Sequence, residues 1–273
     1  MRSRLAAGLA AALLLVVPEA RAFERSTVDG DPSTPLFWRH RTVLLRPAYD
    51  TSHDVSSESV RLALARAIAT WNEAAEPCSD FQFEDRGYPN GYATNMLGGE
   101  HDGENRIVFR EDEWPEDMAF GTIAVTTMVY RRASGQILDA DIDLNAVDYV
   151  WTDTNDPALA QTDVQNALTH ELGHVLGLAH ADDPEATMWA ESPPGDLEKR
   201  SLAEDDVAGL CYVYPEGVLT PGAPLLMSPP LTGCTAVGAR GGAPAAAIVI
   251  LLVRRRRGAR RSARPGGTAC AAT

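Results

Sequence analysis

The stretch His170-Glu171-Leu172-Gly173-His174-Val175-Leu176-Gly177-Leu178-Ala179-His180, with Met188 eight residues beyond it, decides how this chain is read. It holds three of the protein's six histidines. His170 and His174 are four apart, so on a helix they project from one face. Glu171 sits one residue round from His170. Gly177 can end that helix and turn the chain back sharply, which lets His180 reach the same point from the other side. Three neutral imidazoles fill three positions of a tetrahedral zinc ion and leave the fourth for water. The competing reading is an amphipathic core helix with incidental histidines. Core packing requires neither a glycine nor a third histidine at these offsets.

The flanks of this stretch are patterned as well. Thr162-x-x-Gln165 reads as a capping box, with Asp163 favourable in the first turn. Val164, Leu168, Leu172, Val175 and Leu176 form the helix's apolar stripe. Upstream, residues 121–130 are rich in β-formers, Ser134-Gly135 is a turn, and 137–144 returns as a second strand. In that strand Ile137, Asp139, Asp141 and Asp143 share one face, and Leu138, Ala140, Ile142 and Leu144 the other. Earlier come a strand at 38–46 and a helix opened by Ser56 or Asp54. That helix carries Val60, Leu64, Ala67, Ile68 and Trp71 on one side and ends by Pro77. A short strand at 81–84, a Gly/Asn-rich loop at 85–105 and a buried strand at 107–109 follow. Downstream, a Pro/Gly loop (192–196) leads to a last helix at 202–210.

The chain has 273 residues. Residues 1–22 read as a signal peptide: Arg2 and Arg4, an apolar run from Leu5 to Val17, and a small-x-small site at Ala20-Arg21-Ala22. The expected context is export to an extracellular or cell-surface location. Residues 23–35 form a polar arm. Residues 23–233 carry 37 acids against 13 bases, a formal charge of −24. Such a domain repels phosphate, so nucleic acid is excluded as a partner. Solubility and salt tolerance account for this charge first; a taste for basic substrates or bound calcium comes second. The last 40 residues reverse the sign, with eight arginines and no acid.

The pattern H-E-x-x-H-x-x-G-x-x-H followed by a methionine resembles the metzincin zinc endopeptidases. The spacing of Met188, the strand Leu138–Asn145 and the helix around Leu202–Leu210 resemble the matrixin branch over residues 36–215. The resemblance implies an α+β fold: a twisted, mostly parallel sheet with an antiparallel edge strand, packed on the active-site helix and a second long helix. A small C-terminal subdomain would follow the third histidine. It implies one catalytic Zn2+ on His170, His174 and His180, Glu171 as the general base, and Met188 as the floor beneath the imidazoles. It further implies a protein or peptide substrate paired with the strand at Ile123, Ala124 and Val125, with Trp189 lining the pocket after the scissile bond. An ordinary sheet strand and a core tryptophan are the plainer readings of those four residues.

No histidine occurs between His101 and His170, so the second, structural zinc site of vertebrate matrixins cannot be assembled as it is there. No cysteine precedes Cys78, so cysteine-based latency has no candidate. Calcium on Asp139, Asp141 and Asp143 stays open, against an acidic solvated face. Cys78 and Cys211 fall within the matrixin-like region and are expected to pair, which closes a long loop worth about 4–5 kcal/mol; two buried free thiols are the alternative. Residues 216–233 read as a linker. Cys234, the apolar run 243–253 and Arg254–Arg257 resemble a tripartite C-terminal sorting signal of the MYXO-CTERM type, which implies transient membrane association over 234–257 before a basic tail at 258–273. The expected whole is a monomeric exported zinc endopeptidase. A catalytically silent metal-binding surface protein of the same fold is the alternative.

Overall fold

The computed structural model describes residues 23–97, 101–217 and 246–253. Strands β3 (Thr42–Pro47), β4 (Gln82–Asp85), β5 (Asn105–Arg110), β6 (Thr122–Arg131), β7 (Gln136–Asn145) and β10 (Ala246–Val253) form one sheet in the order β10-β6-β7-β5-β3-β4. The β4–β3, β3–β5 and β5–β7 pairings are parallel; β6 runs antiparallel to β7. This is the expected α+β architecture with one difference. β6 is not the outermost described strand, because the backbone of β10 pairs antiparallel along its free side. The expected signal peptide, most of the linker, Cys234 and the Arg254–Arg257 cluster lie outside the described residues. Among those described, no helix is long and apolar enough to cross a membrane.

Two helices cover the inner face of the sheet. In α1 (Ser57–Ala75), Ser56 is the N-cap and its side chain accepts the Ser59 N–H. Val60, Leu64, Ala67 and Trp71 of α1 meet Leu168, Leu172 and Val175 of α2 (Val164–Leu176) in one core with Phe109, Ala124, Met128 and Ile142 from the sheet. A final helix, α3 (Glu204–Val213), is tied to the end of α1 by the Cys78–Cys211 disulfide.

Four details depart from the sequence reading. The α2 cap is Asp163, whose carboxylate accepts the Asn166 N–H at 2.8 Å. Thr162 and Asp163 both stay extended in a two-residue ladder between β8 (Trp151–Thr152) and β9 (Thr162–Asp163), so the helix begins, and the cap falls, one position later. Ile137 joins Ala140, Ile142 and Leu144 in the core. A register shift opposite Val129/Tyr130 inserts one residue there and reverses the facing of everything before it.

Third, Asp139, Asp141 and Asp143 do not make a solvated face: all three are at most 1% exposed. Asp143 accepts from Thr94 Oγ1 and Arg110 Nε, Asp141 from Asn95 and the Arg106 N–H, and Asp139 from the Asp102 and Gly103 N–H groups. Burial, then the neighbouring Asp139 charge, pushes Asp141 up to about 7. Finally, residues 23–35 are not a loose arm. They form a hairpin, β1 (Thr27–Val28) and β2 (Asp31–Pro35), stitched by backbone bonds (Ser26 N to Gly177 O, Ala179 N to Glu24 O) to the turn after α2. Backbone bonding is insensitive to the polar side chains that suggested an arm.

Candidate metal centre and active site

α2 is clamped at both ends. Arg200 holds its capping carboxylate, Asp163, through Nε (2.8 Å) and a second guanidinium nitrogen (2.5 Å). At the other end Gly177 takes φ +96°, and the Gly177 and Leu178 N–H groups return to His174 O and Gly173 O. That is a Schellman turn, which only glycine enters cheaply. The last-turn carbonyls that a helix cannot satisfy itself find distant donors: Trp38 Nε1 on Val175 O and Tyr214 OH on Leu176 O, both 2.7 Å. Trp71 Nε1 bonds Thr169 O at 2.8 Å from α1.

This rigid helix and its reversal bring three imidazoles to one point. His170 Nε2 and His174 Nε2 are 3.0 Å apart, and His174 Nε2 and His180 Nε2 3.2 Å. Two nitrogens each about 2.0–2.1 Å from one tetrahedral ion would stand about 3.3–3.4 Å apart, so the cluster has the span of a zinc site. The tautomers agree. His170 Nδ1 donates to Thr187 O (2.6 Å) and His174 Nδ1 to Leu178 O (2.9 Å), which leaves each Nε2 with a lone pair for a cation. Burial holds His170 and His174 well below the usual histidine range. Burial and then the Lys199 charge bring His180 down to about 4. All three imidazoles are neutral at physiological pH, the state in which they could hold a cation.

Glu171 is fully buried between this cluster and β6. Its Oε2 accepts Thr126 Oγ1 at 2.6 Å, and its Oε1 has no hydrogen-bond partner in the protein. Burial raises its pKa to about 8, against the Thr126 bond and the Lys199 charge, which act in the other direction. Met188 packs on α2 between the two histidines: a Cβ on Gly173 would overlap its sulfur and come within 3.0 Å of Trp71. Ile123, Ala124 and Val125 are buried on β6. Trp189 is half-buried and lines a cavity of about 510 Å³ with Pro184, Glu185 and Leu197, so it belongs to a pocket wall and not to the core.

Three residues that the sequence reading passed over also shape the site. Thr126 orients Glu171. Asp206 accepts the N–H groups of Thr187, Met188 and Ala203 and so fixes the turn that carries Met188. Lys199, on a short 3-10 turn (Glu198–Arg200), reaches the Trp189 carbonyl beside the triad. It is the only lysine in the chain, against 23 arginines, a compositional signal that was available from the start.

A sheet carrying a helix with H-E-x-x-H, a glycine reversal to a third histidine and a methionine turn below them defines the metzincin class of domain. Within it, the family model for matrixins, peptidase M10, matches residues 37–215. The chain belongs to the matrixin family. It is 28% identical to matrix metalloproteinase-25 of Homo sapiens over 188 residues, 67% of this chain and 31% of that protein. It is 27% identical to Metalloendoproteinase 2-MMP of Arabidopsis thaliana over 190 residues, 67% of this chain and 44% of that protein. Human matrilysin is 34% identical over a shorter stretch, 32% of each chain. The chain therefore spans less than half the length of these relatives.

Proposed function

We propose that this protein is an exported zinc-dependent endopeptidase. The observation that carries the reading is the convergence of three neutral imidazoles beside a buried glutamate with one oxygen left unpartnered. Zinc held there by His170, His174 and His180 supplies a Lewis acid that acidifies a water and polarises a peptide carbonyl. The chain's own residues do the rest. Thr187 O and Leu178 O hold two imidazoles in the ligating tautomer. Thr126 fixes one oxygen of Glu171; a dication on the triad would favour the ionised carboxylate over the neutral acid that burial alone favours, and its free Oε1 would then take the proton from the attacking water and deliver it to the leaving amine. Met188 gives the imidazoles an apolar floor. An extended peptide pairs with β6 through backbone bonds; the antiparallel seating of β10 on that side supports the idea that it accepts a strand. Both oxygens of Asp141 and of Asp143 and one oxygen of Asp139 are engaged by protein donors, Asp139 Oδ1 alone being unpartnered, and the proposal counts one metal, that of the triad.

Export is supported by the charge and apolar pattern of residues 1–22 and by the Cys78–Cys211 disulfide. On the same reading 234–257 is a sorting segment processed near Cys234, and the mature enzyme acts as a monomer. The test is hydrolysis of casein and of a blocked-peptide library, with and without a chelator, alongside Glu171→Gln. We expect the chelator to abolish cleavage, added zinc to restore it, and Glu171→Gln to keep zinc while losing at least three orders of magnitude in kcat/KM. Undiminished activity in Glu171→Gln sinks the mechanism. No cleavage by zinc-loaded wild type favours a silent metal-binding surface protein.

A further inference from the structure

A cavity of about 510 Å³ opens at the Thr122 end of β6, between the loop that enters that strand and the turn that follows β7. Trp114, Phe120 and Tyr149 give it aromatic walls, Glu116 and Asp148 give it charge, and none of the described residues lining it is basic. The space is of the size of a small-ligand pocket and holds a whole long side chain. Phe120 is 78% exposed, a ring left in water unless something lies on it. Glu116 is exposed as well, and Asp148 spends only Oδ2 on Asn145 Nδ2, at 3.0 Å. The entering loop, residues 111–121, holds five acids and no base. Aromatic faces and carboxylates around one space attract a cation twice, through the ring quadrupole and through charge. A guanidinium can stack on a ring and pair with a carboxylate at once, so it fits better than an ammonium.

The position of the cavity decides whose cation it takes. Glu171 meets β6 at Thr126, which marks the level of the reacting centre. Thr122 lies four residues back, about 13 Å along an extended strand. β10 shows how an antiparallel chain runs on this edge: Ala246 lies opposite Tyr130 and Val253 opposite Thr122, so its C-terminal end points at the cavity. A substrate laid the same way brings the residues after its scissile bond towards the cavity, with the third or fourth of them level with Thr122.

Building on the endopeptidase reading, we propose that this cavity is a substrate subsite for a basic side chain, arginine before lysine, borne by the third or fourth residue after the scissile bond. Phe120 and Trp114 stack on the cation, and Glu116 and Asp148 neutralise it. The negative charge of the domain as a whole favours basic peptides wherever their charge stands. The cavity favours one place in the peptide, and does so by contact.

The test uses the zinc-loaded protein at about 0.5 M salt, where the general field of the domain is screened. Blocked peptides of one sequence carry a single arginine at the second, third, fourth, fifth or sixth residue after the cleaved bond, or norleucine in its place. We expect arginine at the third or fourth residue alone to raise kcat/KM over norleucine by about fivefold or more, and lysine there to raise it less. Glu116→Gln combined with Phe120→Ala, both at exposed positions, should bring the arginine-to-norleucine ratio within one protein down to about twofold or below. An arginine effect of equal size at every position, or a ratio that survives in the double variant, overturns the subsite and leaves the endopeptidase reading intact. No cleavage of any peptide by the wild type overturns that reading and this one with it. Calorimetric binding to zinc-loaded Glu171→Gln decides the case in which the double variant cleaves nothing. Tighter binding of the arginine peptide than of its norleucine counterpart supports the subsite, and equal binding refutes it.

Discussion

Replacing Asp206 by asparagine tests how the methionine turn supports the metal centre. One carboxylate oxygen accepts the Thr187 and Ala203 N–H groups, each at 2.8 Å, and the other accepts the Met188 N–H at 3.1 Å. The residue is 1% exposed, so water cannot take over. Asparagine offers one carbonyl. In its better orientation it keeps Thr187 and Ala203 but turns its NH2 on the Met188 N–H. That loses a charge-assisted bond, worth about 1.5–3 kcal/mol, and strands a buried donor at about 1–3 kcal/mol. Partial relaxation brings the net loss to about 3 kcal/mol, a large share of a domain's stability. The damage does not stop there, because the carbonyl of Thr187 accepts His170 Nδ1. A turn that has shifted no longer orients that imidazole, and loss of such an outer partner typically weakens metal binding ten- to a hundredfold. Urea unfolding of the zinc-free protein measures the first effect, and competition with a chromophoric chelator the second. A stability loss under about 1 kcal/mol with unchanged zinc affinity would refute the reasoning.

Three further outcomes are expected. Replacing Cys78 and Cys211 by serine opens a loop of 133 residues and should cost about 5 kcal/mol in the chain-entropy account, read from urea midpoints; a cost below about 1 kcal/mol contradicts it. Asp205, whose two oxygens are buried without partners, is raised to about 6 by burial and then by Asp206. Its folded pKa exceeds its unfolded one, so its ionised form opposes folding fully above pH about 6 and not at all below about 4. Asp205→Asn should therefore stabilise by about 1 kcal/mol at pH 8 and by nothing at pH 4, and a pH-independent change would count against the assignment. Ending the chain at Gly217 removes β10 from the side of β6. Peptide kcat/KM should then rise several-fold, and equal rates in long and short chains would show that β10 does not compete with substrate.

The centre of this site was legible because its logic is local. Helical spacing places His170 beside His174, and a glycine that must adopt positive φ returns His180 to them. What escaped depends on partners far away in sequence. The α2 cap falls at Asp163 and not at Thr162 because the chain stays extended through both residues in the ladder with Trp151 and Thr152, and nothing in the capping pattern announces that ladder. The Ile137 facing failed because a single bulge reverses the parity on which every alternation argument rests. Asp139, Asp141 and Asp143 read as solvated because their donors come from Thr94, Asn95, Asp102, Gly103, Arg106 and Arg110, none of them a sequence neighbour. Lys199 is the opposite case. Its position was invisible in any motif, yet its rarity was plain in the composition.

The charge of the domain acts at long range. Residues 23–233 carry a formal −24, and the field of that charge reaches about 8–10 Å into solvent at physiological ionic strength. It repels acidic peptides before they arrive and favours basic or neutral flanks. Two peptides with the same cleaved bond and the same four residues after it, one with lysine flanks outside that stretch and one with glutamate flanks, isolate this effect. At low salt the basic peptide should have the higher kcat/KM by at least tenfold, and raising the salt to about 0.5 M should close most of that gap. A gap that persists at high salt would mean that the flanks are read by contact and not by the field.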